Sequence, residues 1–236
     1  MNVPCARLLI ALFCVSPPTH ADVACTDSSA LNAAVASGYV PDSQALIACK
    51  AMPTNPKQII VAFVREVGNH TYTMTVLVAM KDDGKIMHRF VDEDPSFGPN
   101  GDAAGLEVDT ARYLLAPSKR AFGVRVTHSL NPWDSTQDLN LFIPEQTTLR
   151  RILKDLRVAS SSMRDCPLGA HQTSRTLSVA KSTSAGFYDL VVRTTEIEYE
   201  PRELNSERCS YRESTRSSKD RLQFIGGSYA YPLGFY

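Results

Sequence analysis

From Gln58 onward the apolar residues fall into short runs separated by turn chemistry, which predicts strands rather than helices. Ile59 to Val67 meets Thr71 to Met80 across Gly68-Asn69. The second run meets Ile86 to Val91 across Asp83-Gly84, where glycine tolerates the positive φ of a tight hairpin. Further on, Phe122, Val124, Val126 and His128 alternate with Arg125 and Thr127, and Leu139, Leu141 and Ile143 alternate with Asn140 and Phe142. A period of two predicts strands with one buried face. Leu177 with Val179, Tyr188 to Thr195, Cys209 to Thr215, and Arg221 to Ile225 turning through Gly226-Gly227 into Ser228 to Tyr231 bring the series to about ten strands, spaced as in antiparallel folds. Leu149, Ile152, Leu153 and Leu156 sit at helical spacing, but the neighbouring strands and Thr147-Thr148 favour a hairpin of Leu149 to Leu153 with Leu156 to Ala159. Ser160 to Ser162 and Ser214 to Ser218 have the composition of surface loops.

Upstream the pattern differs. Ala30, Leu31, Ala33, Ala34 and Val35, then Ala45, Leu46 and Ile47, flank Gly38-Tyr39-Val40-Pro41, with Asp27 or Ser28 able to cap the first segment. This predicts a small helical hairpin, followed by a linker at Met52 to Pro56 whose prolines stop any helix. The first residues read as a cleaved export signal: Arg7, the apolar run Leu8 to Val15, and a small-residue site at Thr19-His20-Ala21. The expected organisation is a signal peptide over 1–21, a helical hairpin and linker over 22–56, and an antiparallel β domain over 57–236. The fold class is mainly β, built from hairpins as a sandwich, a barrel or a propeller-like array.

The apolar leader run is too short to remain as an anchor, since roughly 20 residues are needed to cross a bilayer. Asp22 stands where a lipidation signal before Cys25 would need an aliphatic residue. A periplasmic or secreted location with no membrane span follows. The 25 basic and 25 acidic side chains balance, which argues against nucleic acid as a partner. Arg202 to Arg221 is rich in arginine, but Glu203, Glu207, Glu213 and Asp220 are interleaved, the pattern of a solvated loop face. Of the six cysteines, Cys5 and Cys14 leave with the leader. Cys25, Cys49, Cys166 and Cys209 remain in an oxidising compartment, and three connectivities are open to them. Proximity in the chain favours Cys25 with Cys49 and Cys166 with Cys209.

Asp138 to Phe142 and Tyr188 to Val192 each hold an aspartate followed by alternating apolar residues, and Phe224-Ile225-Gly226-Gly227-Ser228-Tyr229 follows. This arrangement resembles the hairpin units of uncharacterised secreted bacterial β proteins. The resemblance implies a β fold and an exported location, and it carries no active site to transfer.

Candidate chemistry is sparse. In the acidic stretch 92–102, Asp92, Asp94, Ser96, Asn100 and Asp102 offer the oxygens that calcium prefers, but Phe97 replaces the turn glycine of a helix-loop-helix site and Ala103 its bidentate glutamate. No histidine pair has zinc-binding spacing, and no cofactor is expected. A hydrolase reading makes His128 the base, Asp134 its orienter and Ser129 or Ser135 the nucleophile, although no Gly-x-Ser-x-Gly elbow is present. Glu107 and Asp109 read as solvated charges on one strand face. A binding reading uses the only tryptophan, Trp133, with Phe97 and Tyr113 as further aromatic anchors. The expectation is a non-catalytic binding protein of the bacterial envelope, of inhibitor or immunity type, whose partner is a protein or a cell-wall component. A small envelope hydrolase and a calcium-stabilised module are the alternatives.

Overall fold

Ile59 to Val64 is six apolar residues without a break, and such a run forms a strand only where both faces of its sheet are covered. The computed structural model describes residues 25–41, 46–68, 71–93, 102–129, 131, 133–163, 169–201 and 211–231. In it β1 (Leu46–Ala51), β2 (Gln58–Gly68), β3 (Thr71–Met80) and β4 (Ile86–Asp92) form an antiparallel meander. One face, through Ile59, Val61, Phe63, Leu77 and Ala79, packs on Ala30, Ala33 and Ala34 of α1 (Ser28–Ala36). The helix is capped by Asp27, which accepts from the Ser29 and Ala30 amides at 3.0 and 3.1 Å. Its first turn lies on the β3–β4 turn, where Gly84 has φ +70° and a Cβ would stand 3.0 Å from the Ser29 carbonyl. A Cys25–Cys49 disulfide ties the residues before the helix to β1.

The other face, through Ile60, Ala62, Val64, Met74, Val76 and Val78, meets β5 (Asp102–Ala116) and β6 (Lys119–Ser129) by way of Leu106, Val108, Phe122, Val124 and Val126. β7 (Asp134–Glu145) pairs β6, and β8 (Thr148–Met163) pairs β7. β8 is the branch point. Its first residue pairs β4 in parallel, Arg89 with Thr148, and its last residues, Ala159 to Met163, pair β9 (Ala170–Ser184). β10 (Phe187–Pro201), β11 (Tyr211–Ile225) and β12 (Ser228–Ala230) continue the sheet. β1 touches β5 with no ladder between them, so the barrel is not closed.

A further core lies on the opposite face of β7. Leu139, Leu141 and Ile143 pack there with Ile152, Leu153, Leu156, Leu190, Val192 and Leu222, and Phe187 stacks on Phe224 with ring centroids 4.0 Å apart. β7 is therefore buried on both sides from Asp138 to Ile143. The one-sided burial expected from its alternation is corrected, because Phe142 and Asn140 face the core shared with β2 and β3.

Several sequence expectations change. The helical hairpin is one helix and a strand: Leu46 to Ala51 takes the free edge of β2, and ladder pairing outweighs the helix propensity of alanine. The helical spacing at Leu149 to Leu156 is one strand with a bulge. Asp155 has φ +49°, and the Asn140 side chain holds it by donating to its carboxylate at 3.0 Å and accepting from its amide at 3.2 Å. The extra residue keeps Leu153 and Leu156 in the same core. The serine-rich segments 160–162 and 214–218 lie inside β8 and β11, their backbones held by the ladder. Three register shifts and Gly105 break the alternation of β5, and the described residues hold twelve strands. Cys166 and Cys209 lie outside the described residues. Among the described residues no helix is long and apolar enough to cross a membrane.

The Cys25–Cys49 bridge closes a loop with a sequence separation of 24. Chain entropy predicts that Cys49→Ser costs about 3 kcal/mol. Urea unfolding of oxidised wild type against the variant checks this, and an unchanged midpoint contradicts it.

Candidate functional site

At one end of the β6–β7 layer the apolar pattern gives way to polar residues on both faces. Val126 pairs with Asp138, His128 with Thr136, and Asp138 with Arg157, so His128, Asp138 and Arg157 share the face that holds Phe142 and Val124. His128 Nε2 lies 3.5 Å from Asp138 Oδ2, and Arg157 Nε donates to Asp138 Oδ1 at 3.1 Å. His128 is 7 % exposed and Asp138 is 5 % exposed. Burial pushes the imidazole below its usual value, with the Arg157 cation adding to the effect, while Asp138 and Asp155 pull it upward. The balance favours the neutral ring.

The carboxylate set against His128 is thus that of Asp138. Asp134 is held by Asn131, whose Oδ1 accepts from the Trp133 and Asp134 amides at 2.8 and 2.9 Å and whose Nδ2 donates to Asp134 Oδ2 at 2.6 Å. Ser129 and Ser135 pair across the strands, and the pleat turns them to the face opposite His128. The Ser129 hydroxyl donates to the Asn131 carbonyl at 3.3 Å. The proposed nucleophiles and base are not brought together on one face.

On that opposite face Asp109 is 9 % exposed, which corrects its reading as a solvated charge. Its Oδ2 accepts from the Tyr113 hydroxyl at 2.8 Å and from Arg125 Nη2 and Nε at 2.7 and 3.0 Å, and its Oδ1 accepts from the Ala111 amide at 2.8 Å. Burial raises the carboxyl, but these donors together outweigh it and hold Asp109 below the usual carboxylate range. Tyr113 is 4 % exposed and is a member of this network, not a surface anchor. Its hydroxyl is pushed well up by burial and by the Asp109 charge. Gly123 lies beneath, where a Cβ would come within 2.7 Å of Leu139 Cδ1 and 3.1 Å of Asp109 Cβ.

The network opens outward. Arg125 Nη1 donates to Gln137 Oε1 at 3.2 Å, and Gln137 Nε2 donates to Thr127 Oγ1 at 3.2 Å. Thr127 and Gln137, with Ser135, Ser161, Gln172 and Ser174, line a groove of about 360 Å³ across β6 to β10 in which no lining side chain is charged. Ser135 and Ser161 hydroxyls are 2.8 Å apart. Trp133, two residues before Ser135, is 52 % exposed.

No family model, curated protein or solved structure matches this chain.

The acidic stretch contributes little to an ion site. Asp92 is paired with Arg151, whose guanidinium lies 5.0 Å over the Phe90 ring. Asp94, Phe97 and Asn100 lie outside the described residues, and of Asp102 only the backbone is described, in β5 opposite Ser129. Among the described residues no group of three or more histidine, cysteine or acidic side chains is placed to hold a metal ion. The sequence reading missed Asp138 and Arg157 as partners of His128. A signal was present: Asp138 and Asn140 alternate with Leu139 and Leu141 at the start of the apolar run of β7.

His128 ties stability to pH with a definite sign. Its folded value is depressed, so the unfolded chain binds the proton first and stability falls as pH drops below about 6.5, the unfolded value. Urea midpoints between pH 8 and pH 5 should show this slope, reduced in His128→Gln; equal slopes contradict it. Asp109→Ala leaves Arg125 without its carboxylate and should cost about 3 kcal/mol at pH 7, a loss that the same unfolding measurement reads directly.

Proposed function

We propose that this chain is an exported, non-catalytic binding protein of the bacterial envelope, and that it holds its partner at the Trp133 loop and the adjoining hydroxyl-lined groove. The observation that carries this reading is the exposure of Trp133 on a loop already fixed by Asn131. A large aromatic left in water costs solvation that burial against a partner recovers, and aromatic anchors of this kind dominate binding energies. A loop locked before binding also loses less freedom on association.

The groove supports the same reading. Its hydroxyl and amide groups both donate and accept hydrogen bonds, which suits a cell-wall component or a polar protein surface. A leader of export type and a disulfide agree with the compartment. An inhibitor or immunity protein facing an envelope-directed enzyme is the concrete form. The His128 dyad serves as an internal structural pair in this account, since its ring is buried and neither Ser129 nor Ser135 shares its face.

A pull-down from envelope extract with oxidised mature protein tests the reading. Wild type and His128→Gln should retain a stoichiometric partner, and Trp133→Ala should lose it while its stability stays within about 0.5 kcal/mol, as expected for an exposed site. Equal retention by Trp133→Ala, or no partner for either protein, contradicts the reading.

A further inference from the structure

The arginine-rich C-terminal stretch mixes signs in sequence, and the β10–β11 ladder gathers three cations at one end of one face. Arg193 pairs with Lys219 and with Thr176, and Val191 pairs with Arg221 and with Ser178. The pleat therefore sets Arg193, Lys219 and Arg221 on one surface with Thr176 and Ser178. Asp220 pairs with Val192, and Glu196, Glu198 and Glu200 alternate with the same parity, so these carboxylates fall on the other surface, while Glu213, opposite Tyr199, shares the cationic surface but lies six residues before Lys219 and outside the groove wall. Arg193, Lys219 and Arg221, with Lys181, line a groove of about 630 Å³ that has no acidic residue in its wall.

Among the described residues Lys181, Arg193 and Lys219 have no ion-pair partner. Arg221 Nη1 reaches Asp189 Oδ2 only at 4.0 Å, and that buried carboxylate is already taken by the Ser182 and Ser184 hydroxyls at 2.6 and 2.7 Å. Strands lie about 4.8 Å apart and alternate residues about 6.8 Å apart along a strand, so three of these cations stand close enough to share one polyanion. A polyanion seated among them lowers their mutual repulsion.

We propose that this groove binds phosphate groups carried on a glycan. Arginine forks and lysine ammonium groups are the side chains that take phosphate oxygens. Thr176 and Ser178, in the same wall, offer hydroxyls to sugar hydroxyl groups. No aromatic side chain lines the groove, so it lacks the platforms on which nucleic-acid bases stack. The site is separate from the Trp133 loop and stands or falls independently of that reading.

Isothermal titration with a bis-phosphorylated glycan, the same glycan after phosphatase treatment, and inorganic tripolyphosphate tests the proposal. The phosphorylated glycan should bind, more weakly as salt rises, and phosphatase treatment should abolish binding. The double variant Arg193→Gln/Lys219→Gln should weaken binding at least about tenfold. Arg212→Gln/Arg216→Gln removes the same charge from the other face of the sheet and should change it less than about twofold. Equal losses in the two variants, or no binding of the phosphorylated glycan, overturn the site. Tripolyphosphate binding as tightly as the phosphorylated glycan overturns the glycan assignment.

Discussion

β6 and β7 are buried on both faces, and the rest of the structure accommodates that constraint. A strand with water on one side can leave polar side chains to the solvent, but here each must find a partner inside the protein. Two networks result, one on each face. Asp138 joins His128 to Arg157 beside the core shared with the helix-bearing meander, and Asp109 joins Tyr113 to Arg125 beside the core shared with β10 to β12. Gly123 sits between β5 and β7 because no larger residue fits beneath Asp109 and against Leu139.

These networks also mark where the two cores end. Beyond Arg125 the same face passes through Gln137 and Thr127 into the uncharged groove, and the next connection carries Trp133. The proposed recognition surface is thus anchored through hydrogen bonds to a layer that cannot move without exposing both cores. A chain of satisfied polar groups running from core to surface is a stiff support, and stiffness in the unbound protein limits the ordering cost of binding.

The local signals that were legible in the sequence are those decided by neighbours in the chain. Short apolar runs bounded by Gly68-Asn69 and Asp83-Gly84 give β2, β3 and β4 almost to their ends, and the Asp27 cap gives the start of α1. What was not legible depends on residues far apart. Leu46 to Ala51 carries helix-favouring alanines and becomes a strand only because the edge of β2 is free. The spacing of Leu149 to Leu156 imitates a helix until Asn140, on another strand, is seen to hold the Asp155 bulge. Asp138 could not be matched to His128 without the β6–β7 register, nor could the charges of Lys219, Asp220 and Arg221 be sorted by face without knowing that this segment is a strand. Exposure of Trp133 was likewise open, since a lone tryptophan serves equally as a core plug or as a contact.

The central claim is that a rigid layer with two cores presents the Trp133 loop to a partner. Photo-crosslinking in intact cells tests it most directly, with p-benzoylphenylalanine replacing Trp133 in one protein and replacing Val40, which is 57 % exposed beside the helix, in another. The account predicts a discrete adduct from position 133 and none from position 40. No adduct from position 133, or the same adduct from both, would contradict it.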